Sequence, residues 1–145
     1  MGAVFEHGLR VRFHQADPAG VLFYGRLWEL VEETYEVFCR AAGIDIDAAM
    51  SMRGWTTPIV HAEADYREPL RVGEAVTVRL RVCRIGRASY DLEYAFVGEH
   101  GRESAVARVV HVVVAAADWS KRSLPEDLRS RLAAWLIPDE SSCAP

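Results

Sequence analysis

"LWELVEETYEVFCRAAG", residues 27–43, is the stretch of sequence that decides the fold. Apolar side chains recur in it at the i, i+3 and i+4 spacing that places them on one face of an α-helix. The face expected to be buried carries Leu27, Leu30, Val31, Thr34, Tyr35, Phe38 and Ala42. The opposite face carries Arg26, Glu29, Glu32, Glu33, Glu36 and Arg40. Because Gly43 stands where a left-handed residue commonly ends a helix, the spacing predicts an amphipathic helix over residues 27–42.

Side chains alternate between apolar and polar from this helix to about residue 117, which is the period of half-buried β-strands. Four alternating runs are separated by the short turns RVGE, RIGR and GEHGR, and the last run, over residues 105–114, is almost continuously apolar. Strands joined by short turns pair antiparallel. The later sequence SLPEDLRSRLAAWL, residues 123–136, carries a helix-entry signature and predicts a short amphipathic helix.

The order of these segments predicts an α+β fold, in which a long helix packs on an antiparallel sheet of about five strands. The 145 residues are enough for one domain, 1–145, with residues 138–145 expected to form a flexible tail. Only one face of the predicted sheet has a helix of its own. The outer face of the 105–114 strand is apolar enough that another subunit is expected to cover it, so we expect a homo-oligomer.

Charge and cysteine usage bound the class of protein. The formal net charge of −4 and the pI near 5.7 argue against a nucleic-acid-binding protein, which would carry a basic stripe. Cys39, Cys83 and Cys143 are widely spaced and lack a C-x-x-C pair, so neither a disulfide framework nor a zinc site is predicted. The N-terminus lacks the apolar core of a signal peptide, and the apolar run at residues 105–117 is too short to span a membrane. We therefore expect a cytoplasmic protein without a nucleic-acid or membrane partner.

Asp17 stands in VRFHQADPAGVLFYG, residues 11–25, between an apolar strand-like run and the long helix. An aspartate in an Asp-Pro turn most often accepts backbone N–H groups and has a structural role. The catalytic patterns G-x-S-x-G, Walker A, G-x-G-x-x-G and H-E-x-x-H do not occur in the sequence. A chemical role stays open, because free N–H groups at the start of the helix emerge among apolar side chains and can stabilise an oxyanion. Gly20, Phe23 and Gly25 are the candidate substrate-binding residues, since Gly25 leaves room for a ligand to approach the backbone.

Two stretches resemble the 4-hydroxybenzoyl-CoA thioesterase family of hotdog-fold acyl-CoA thioesterases. They are VRFHQADPAGVLFYGRLWELVEETYEVFCRAAGI, residues 11–44, and RGWTTPIVHAEADYREPLRVGE, residues 53–74. The second stretch also resembles 1,4-dihydroxy-2-naphthoyl-CoA hydrolases. The resemblance implies a helix wrapped by a curved sheet, dimers whose sheets join, and active sites where two subunits meet.

The same resemblance implies roles for Asp17 and Tyr24 in hydrolysis of a CoA thioester, with an aromatic acyl group expected. Asp17 would attack the thioester carbonyl or activate a water molecule, and the Tyr24 backbone N–H would polarise the carbonyl oxygen. An aspartate is ionised at neutral pH, and a thiolate leaving group needs little acid assistance. No metal or cofactor is expected, because coenzyme A is part of the substrate. The expected assembly is a dimer of hotdogs that pairs into a tetramer.

Fixed cations are expected near the phosphates of coenzyme A, and the resemblance places the nucleotide near a turn such as CRIGRASY, residues 83–90. Arg84, Arg87 and Ser89 are therefore the candidate CoA-binding residues, although turn arginines are often only solvated. Lys121 and Arg122 are the second choice.

Several alternatives remain open at this stage. The glutamates of the helix are the fallback if Asp17 is structural, whereas His14, His61 and His111 are expected to lie outside the catalytic set. A hydratase would need a histidine paired with a carboxylate, and the D-P-A-G turn lacks a suitably spaced one. The substrate could be a short-chain aliphatic or acyl-carrier-protein thioester, and a non-catalytic acyl-CoA-binding module would keep the fold without using Asp17.

Overall fold

The computed structural model describes residues 2–47 and 54–137. A five-stranded antiparallel sheet contains β1 (Phe5–Arg10), β3 (Ile59–Tyr66), β4 (Ala75–Ile85), β5 (Ser89–Val97) and β6 (Glu103–Val112), in the spatial order β1-β4-β5-β6-β3. A separate antiparallel pair is formed by β2 (Trp55–Thr56) and β7 (Val114–Ala115). The predicted architecture is confirmed, while the predicted tail at residues 138–145 lies outside the described residues.

The long helix α1 (Leu27–Ala42) has the predicted bounds. Gly43 ends it with φ 72°, in the left-handed region that glycine adopts without a steric penalty. A 3-10 turn, Tyr24–Arg26, leads directly into α1, so the helical N–H groups begin at Tyr24. The short helix α2 (Glu126–Ala133) is also present, as predicted.

The core lies between α1 and the inner face of β4, β5 and β6. Its largest fully buried side chains include Tyr90, Tyr94, Phe38, Phe96, Leu27, Leu30, Leu80 and Leu92. β3 differs from these strands, because its inner face is only partly covered. Ala62 is exposed on this face, and Tyr66 is 48% exposed. As β3 is also an edge strand, one row of its backbone groups has no strand beside it among the described residues.

The outer face of β6 departs from the expected apolar surface. Val106 and Val110 lie on it, but Arg108 between them forms an ion pair with Asp91 of β5. The side chain of Asp91 is only 1% exposed and is also paired with Arg84 at 2.8 Å. The prediction of a bare apolar face was therefore partly wrong, because the alternation along one strand does not reveal which charges the neighbouring strand supplies.

The cysteine prediction needs a correction as well. Cys39 forms no disulfide and is buried in the core, whereas Cys83 is disulfide-bonded. The spacing of cysteines along the chain does not report which thiols fold close together, so the disulfide was not predicted. Within the described residues, no helix is both long and apolar enough to cross a membrane.

Candidate active site

Asp17 lies in a tight loop that folds back on itself between β1 and α1. Its N–H donates to Val21 O (2.9 Å), and the Gly20 N–H donates to Asp17 O (3.0 Å). Gly20 has φ 79°, a conformation that other residues adopt only with strain. The loop is joined to the sheet because the Leu22 N–H donates to Leu70 O (2.7 Å). These bonds fix Asp17 at the end of the sheet where β4 begins.

Gln15 holds this loop from the inside, a role that the sequence analysis missed. Its buried side chain accepts the Arg12 N–H at Oε1 (2.9 Å) and donates from Nε2 to Glu29 of α1 (3.2 Å). Its backbone oxygen accepts the Phe23 N–H (2.9 Å). Hydrogen bonds from Arg26 and then Gln15 keep the pKa of Glu29 below its ordinary value of 4.5. Gln15 thereby connects the loop to the first turn of the helix.

The carboxylate of Asp17 serves the turn through one oxygen only. Oδ1 accepts the Ala19 N–H (2.8 Å), which is the Asx-turn expected for a structural aspartate. Among the described residues, no side chain or backbone group donates to Oδ2, and no cation pairs with the carboxylate. The structural and chemical interpretations of Asp17 are therefore compatible, because one oxygen holds the turn and the other can reach a reacting atom.

Tyr24 opens the 3-10 turn that leads into α1. The first hydrogen bond of this turn runs from the Arg26 N–H to Phe23 O (2.8 Å). The first N–H groups of a helix have no intrahelical partner, and no described residue accepts the Tyr24 N–H. Tyr24 is 67% exposed, so the turn lies at the surface. An N–H group here can donate to an oxyanion.

An apolar cavity of about 290 Å³ lies beside this turn. Its lining residues come from the loop, the start of α1, the end of β3 and the connection to β4: Leu22, Tyr24, Leu27, Tyr66, Arg67, Glu68, Pro69, Leu70 and Ala105. The Tyr66 hydroxyl donates to Tyr24 O (2.7 Å) within it. Sequence analysis did not single out Tyr66, although its alternation placed it on the inner face at the end of a strand. The loop that carries Asp17 therefore leads, through Leu22 and Tyr24, directly into the lining of an apolar recess.

Comparison with known proteins assigns the family. Residues 11–132 match the family model described as the thioesterase-like superfamily. The 1,4-dihydroxy-2-naphthoyl-CoA hydrolase of Synechococcus elongatus is 32% identical over 127 residues, which cover 87% of this chain and 90% of that protein. This chain belongs to the thioesterase-like superfamily. The predicted family and the class of thioester hydrolase are confirmed.

Solved structures confirm the hotdog fold of this thioesterase. The crystal structure of a 1,4-dihydroxy-2-naphthoyl-CoA thioesterase from Synechocystis has a TM-score of 0.85 at 22% identity and covers 90% of this chain and 96% of its own. The structure of a gentisyl-coenzyme A thioesterase has a TM-score of 0.77 at 23% identity and covers 89% of this chain and 99% of its own. At these identities the likeness concerns the fold.

The candidate CoA-binding residues of the thioesterase lie far from Asp17 within one chain. Asp17 is anchored just before β4, whereas Arg84, Arg87 and Ser89 lie at or after its end. With a rise of about 3.3 Å per residue, the 11 residues of β4 separate these two ends by about 33 Å. Ser89 and Asp91 both accept hydrogen bonds from Arg84, so this guanidinium already has partners. The structure does not bring the two predicted groups together in a single subunit.

Arg87 is the more available cation of this turn. It is exposed, and its guanidinium pairs with no described residue. The turn is fixed by Arg129 of α2, which donates to Gly86 O (2.8 Å). Lys121 and Arg122 lie nearby, since the Arg122 N–H donates to Val113 O (3.1 Å) and the Val113 N–H donates to Ala88 O (2.7 Å). Both sets of candidate CoA-binding cations, Arg84 and Arg87 and also Lys121 and Arg122, thus lie at one end of the sheet, called here the basic end.

The predicted substrate-binding residues have different local roles. Gly20 occupies the strained position of the loop, as described above. Phe23 is 43% exposed and packs against the Tyr24 ring, with centroids 4.8 Å apart. A Cβ atom at Gly25 would lie 3.1 Å from the Phe23 ring, so Gly25 lets this ring pack over the turn. Their contact with substrate stays a prediction.

The acidic stripe of α1 is largely engaged in ion pairs. Glu29 pairs with Arg26, Glu33 with His7 (2.9 Å) and Glu36 with Arg40 (3.2 Å). Partial burial raises the pKa of Glu32 above its ordinary value of 4.5. The stripe is therefore mainly a surface feature of the helix.

The three histidines set aside by sequence occupy separate environments. His14 is exposed, and His61 faces Glu63 of the same strand at 3.2 Å. His111 is buried, and its Nδ1 lies 3.0 Å from Thr57 O. In the described part of the chain, no group of three histidine, cysteine or acidic side chains is arranged to hold a metal ion.

Proposed function

We propose that this thioesterase hydrolyses an aromatic acyl-CoA to the free acid and coenzyme A. The observation that carries the proposal is that Asp17 Oδ2 and the Tyr24 N–H, in the same loop assembly, both lack a partner among the described residues. One group can deliver the nucleophile and the other can stabilise the oxyanion. The curated relative of Synechococcus elongatus acts on an aromatic CoA thioester, which supports the substrate class.

Two chemical routes fit this arrangement. In the first, Asp17 Oδ2 forms a bond with the thioester carbon, the C–S bond breaks, the CoA thiolate leaves, and water then hydrolyses the mixed anhydride. In the second, Asp17 takes a proton from a water molecule whose oxygen attacks the same carbon. The negative charge that develops on the carbonyl oxygen is stabilised by the Tyr24 N–H in either case. The thiolate departs without a strong acid because a thiol is acidic enough to leave as an anion.

The acyl group is proposed to enter the apolar cavity beside Tyr24. About 290 Å³ is at the lower end of the range for small-molecule sites, and apolar lining suits an aromatic ring. Gly20, Phe23 and Gly25 form the rim of this route.

The complete site is proposed to form between two subunits. β3 is an exposed edge strand whose inner face carries Ala62, Ala64 and Tyr66. Antiparallel pairing of two β3 edges would set the Tyr66 end of one strand beside the Ile59 end of the other. Ile59 lies at the same end of the sheet as the turn after β4, because Ile59 opposes His111 and His111 opposes Tyr90. Each Tyr24 would then face the basic end of its partner.

The CoA nucleotide is proposed to bind at this basic end of the partner subunit. Arg87 is the main phosphate contact, Arg84 and Ser89 shape its turn, and Lys121 and Arg122 extend the positive surface. We further propose that two dimers pair into a tetramer, that the enzyme is cytoplasmic, and that it uses no metal ion or cofactor.

The test is CoA release from benzoyl-CoA, a naphthoyl-CoA, a short aliphatic acyl-CoA and the matching acyl-carrier-protein thioesters. We expect the highest kcat/KM with an aromatic CoA thioester, and loss of that activity in Asp17→Asn. A preference for aliphatic or carrier-protein thioesters would change the substrate class. Tight binding without any hydrolysis would instead indicate a non-catalytic acyl-CoA-binding module.

A further inference from the structure

We propose that Tyr66 is a positioning residue for catalysis, holding the backbone that supplies the oxyanion-binding N–H groups. The inference rests on the proposed function, because it assigns a role within the same thioester-hydrolysing site. Tyr66 ends β3, whereas the backbone that it holds is the 3-10 turn that leads into α1. The connection is a single hydrogen bond, from Tyr66 Oη to Tyr24 O at 2.7 Å.

This hydrogen bond acts on the backbone just before the helix. Tyr24 O also accepts the Leu27 N–H, so the hydroxyl adds a second donor to a carbonyl that is already part of the 3-10 turn. The Tyr66 ring meets the Tyr24 ring edge to face, with centroids 6.5 Å apart and planes at 82°. Both contacts restrict the orientation of the first turn.

The other side of the turn is held by Gln15, whose backbone oxygen accepts the Phe23 N–H. The Tyr24 and Gly25 N–H groups lie between these two anchors, and neither has an acceptor among the described residues. A donor can stabilise an oxyanion only if its direction is fixed before the reaction, since reorientation would cost part of the benefit. Tyr66 therefore acts on the reaction through the direction of the Tyr24 and Gly25 N–H groups.

The Tyr66 hydroxyl also polarises the peptide group that it bonds, which should strengthen its N–H as a donor. A hydrogen bond to Tyr24 O increases the polarity of the peptide that carries the Gly25 N–H, because linked hydrogen bonds polarise one another. Burial, and then the neighbouring Tyr24, raises the pKa of Tyr66 above its ordinary value of 10.0, so the hydroxyl keeps the proton that it donates.

The test compares Tyr66→Phe with Tyr35→Phe. Each change removes one tyrosine hydroxyl, and the Tyr35 hydroxyl bonds Tyr90 (2.8 Å) in a region remote from the Asp17 loop. We expect Tyr66→Phe to lower kcat about tenfold on the best thioester, less than the loss of a direct oxyanion donor, with KM within about twofold of wild type. Tyr35→Phe should keep kcat within about twofold of wild type.

A spectroscopic measurement separates positioning from general structural damage. The thioester carbonyl stretch of bound, carbonyl-labelled benzoyl-CoA is compared in Asp17→Asn and in Asp17→Asn combined with Tyr66→Phe. We expect the stretch to move towards its value in free solution when the Tyr66 hydroxyl is removed, because the N–H groups polarise the carbonyl less. An unchanged stretch, or a kcat within about twofold of wild type in Tyr66→Phe, overturns the inference.

The same experiment keeps the two proposals distinguishable. Loss of kcat in Tyr66→Phe together with wild-type kcat in Asp17→Asn supports the inference and overturns the role of Asp17. The reverse pattern supports Asp17 and overturns the inference. Equal losses of kcat in Tyr66→Phe and Tyr35→Phe also overturn it, because the effect would then follow from removing any partly buried hydroxyl.

Discussion

Asp17 and Asp91 are the same residue type in opposite environments. Asp17 lies in an exposed loop, accepts backbone N–H groups at Oδ1 and has no cationic partner among the described residues. Asp91 is only 1% exposed and is held by Arg84 at Oδ1 and by Arg108 at Oδ2. A buried carboxylate with both oxygens bound by arginines stabilises structure, whereas one with a free oxygen can react. The comparison teaches that partners, rather than residue type or burial alone, separate the two roles.

Removing the charge of Asp17 is the strongest test of the contrast between the two aspartates. Asp17→Asn keeps the Asx-turn and removes the nucleophile or base, so we expect kcat to fall by about a thousandfold, which is about 4 kcal/mol of barrier. The thermal unfolding midpoint should stay close to wild type. Steady-state kinetics on the best thioester and thermal unfolding measure the two quantities.

Asp17→Glu serves as the charged control, because it moves the carboxylate by one methylene and reaction geometry is sensitive to about 1 Å. It too should lose most of its activity while folding normally. An Asp17→Asn protein within about threefold of the wild-type kcat would refute the mechanism and direct attention to the glutamates of α1.

Asp91→Ala should have the opposite effect, lowering stability and leaving activity unchanged. Removing Asp91 leaves the partly buried Arg108 without its partner, whereas Arg84 is 52% exposed and can be solvated. We therefore expect a loss of unfolding free energy at or below the lower end of the range of about 3–5 kcal/mol that is typical of a broken buried ion pair. Activity per folded molecule should remain near wild type. Urea unfolding measures the free energy of unfolding, and kcat per mole of folded enzyme measures the activity.

Asp127→Ala is the matched control for Asp91. Asp127 is 77% exposed and pairs with Arg131 one helical turn away at 3.0 Å, so its loss should cost less than about 1 kcal/mol. Equal destabilisation by the two variants would contradict the contrast drawn between buried and exposed carboxylates.

Arg87→Ala tests whether the basic end of the sheet binds the CoA phosphates. Because phosphate contacts bind ground and transition states alike, KM for the acyl-CoA should rise about fivefold with kcat nearly unchanged. A pantetheine thioester without phosphates should lose less. Arg84→Ala should raise KM to a smaller degree and also lower stability, since Arg84 is bound to Asp91.

Mixing the Asp17→Asn and Arg87→Ala variants tests whether the two ends of the site belong to different subunits. If Asp17 and Arg87 act across a dimer, Asp17→Asn mixed with Arg87→Ala regains wild-type sites in the heterodimers, about a quarter of all sites after random exchange. No gain over the separate variants at low substrate would place both groups in one subunit. Light scattering that gave only the 16.2 kDa monomer would remove the shared site altogether.

The smallest expected effect concerns His111, whose ring stacks on Tyr35 and Tyr90. Burial lowers the pKa of folded His111 below its ordinary value of 6.5, so the unfolded chain binds the proton first as the pH falls. The stability that neutral His111 contributes is present above about pH 6.5 and is lost below it. Between pH 7.5 and 5.5 the unfolding midpoint should fall by a few degrees more in wild type than in His111→Phe. Parallel pH profiles would contradict this assignment.

Much of the fold could be predicted because its signals are local. The spacing of apolar residues set both ends of α1, and Gly43 ended it as expected. Asp17 and Tyr24 could be nominated from one loop, but Gln15 and Tyr66 could not, since their roles depend on contacts with Glu29 and with the Tyr24 carbonyl. Neither contact has a fixed spacing along the chain.

The sequence by itself determined the helix, the strand alternation and the loop that carries Asp17, because these follow from the 3.6-residue and two-residue periods and from turn chemistry. Only the tertiary structure decided that Asp91 would be buried between arginines, and that Arg87 would lie at the far end of β4 from Asp17. The physical reason is that strand order and register are set by long-range packing. The role of a charged residue on one strand therefore depends on the residue that the neighbouring strand places beside it.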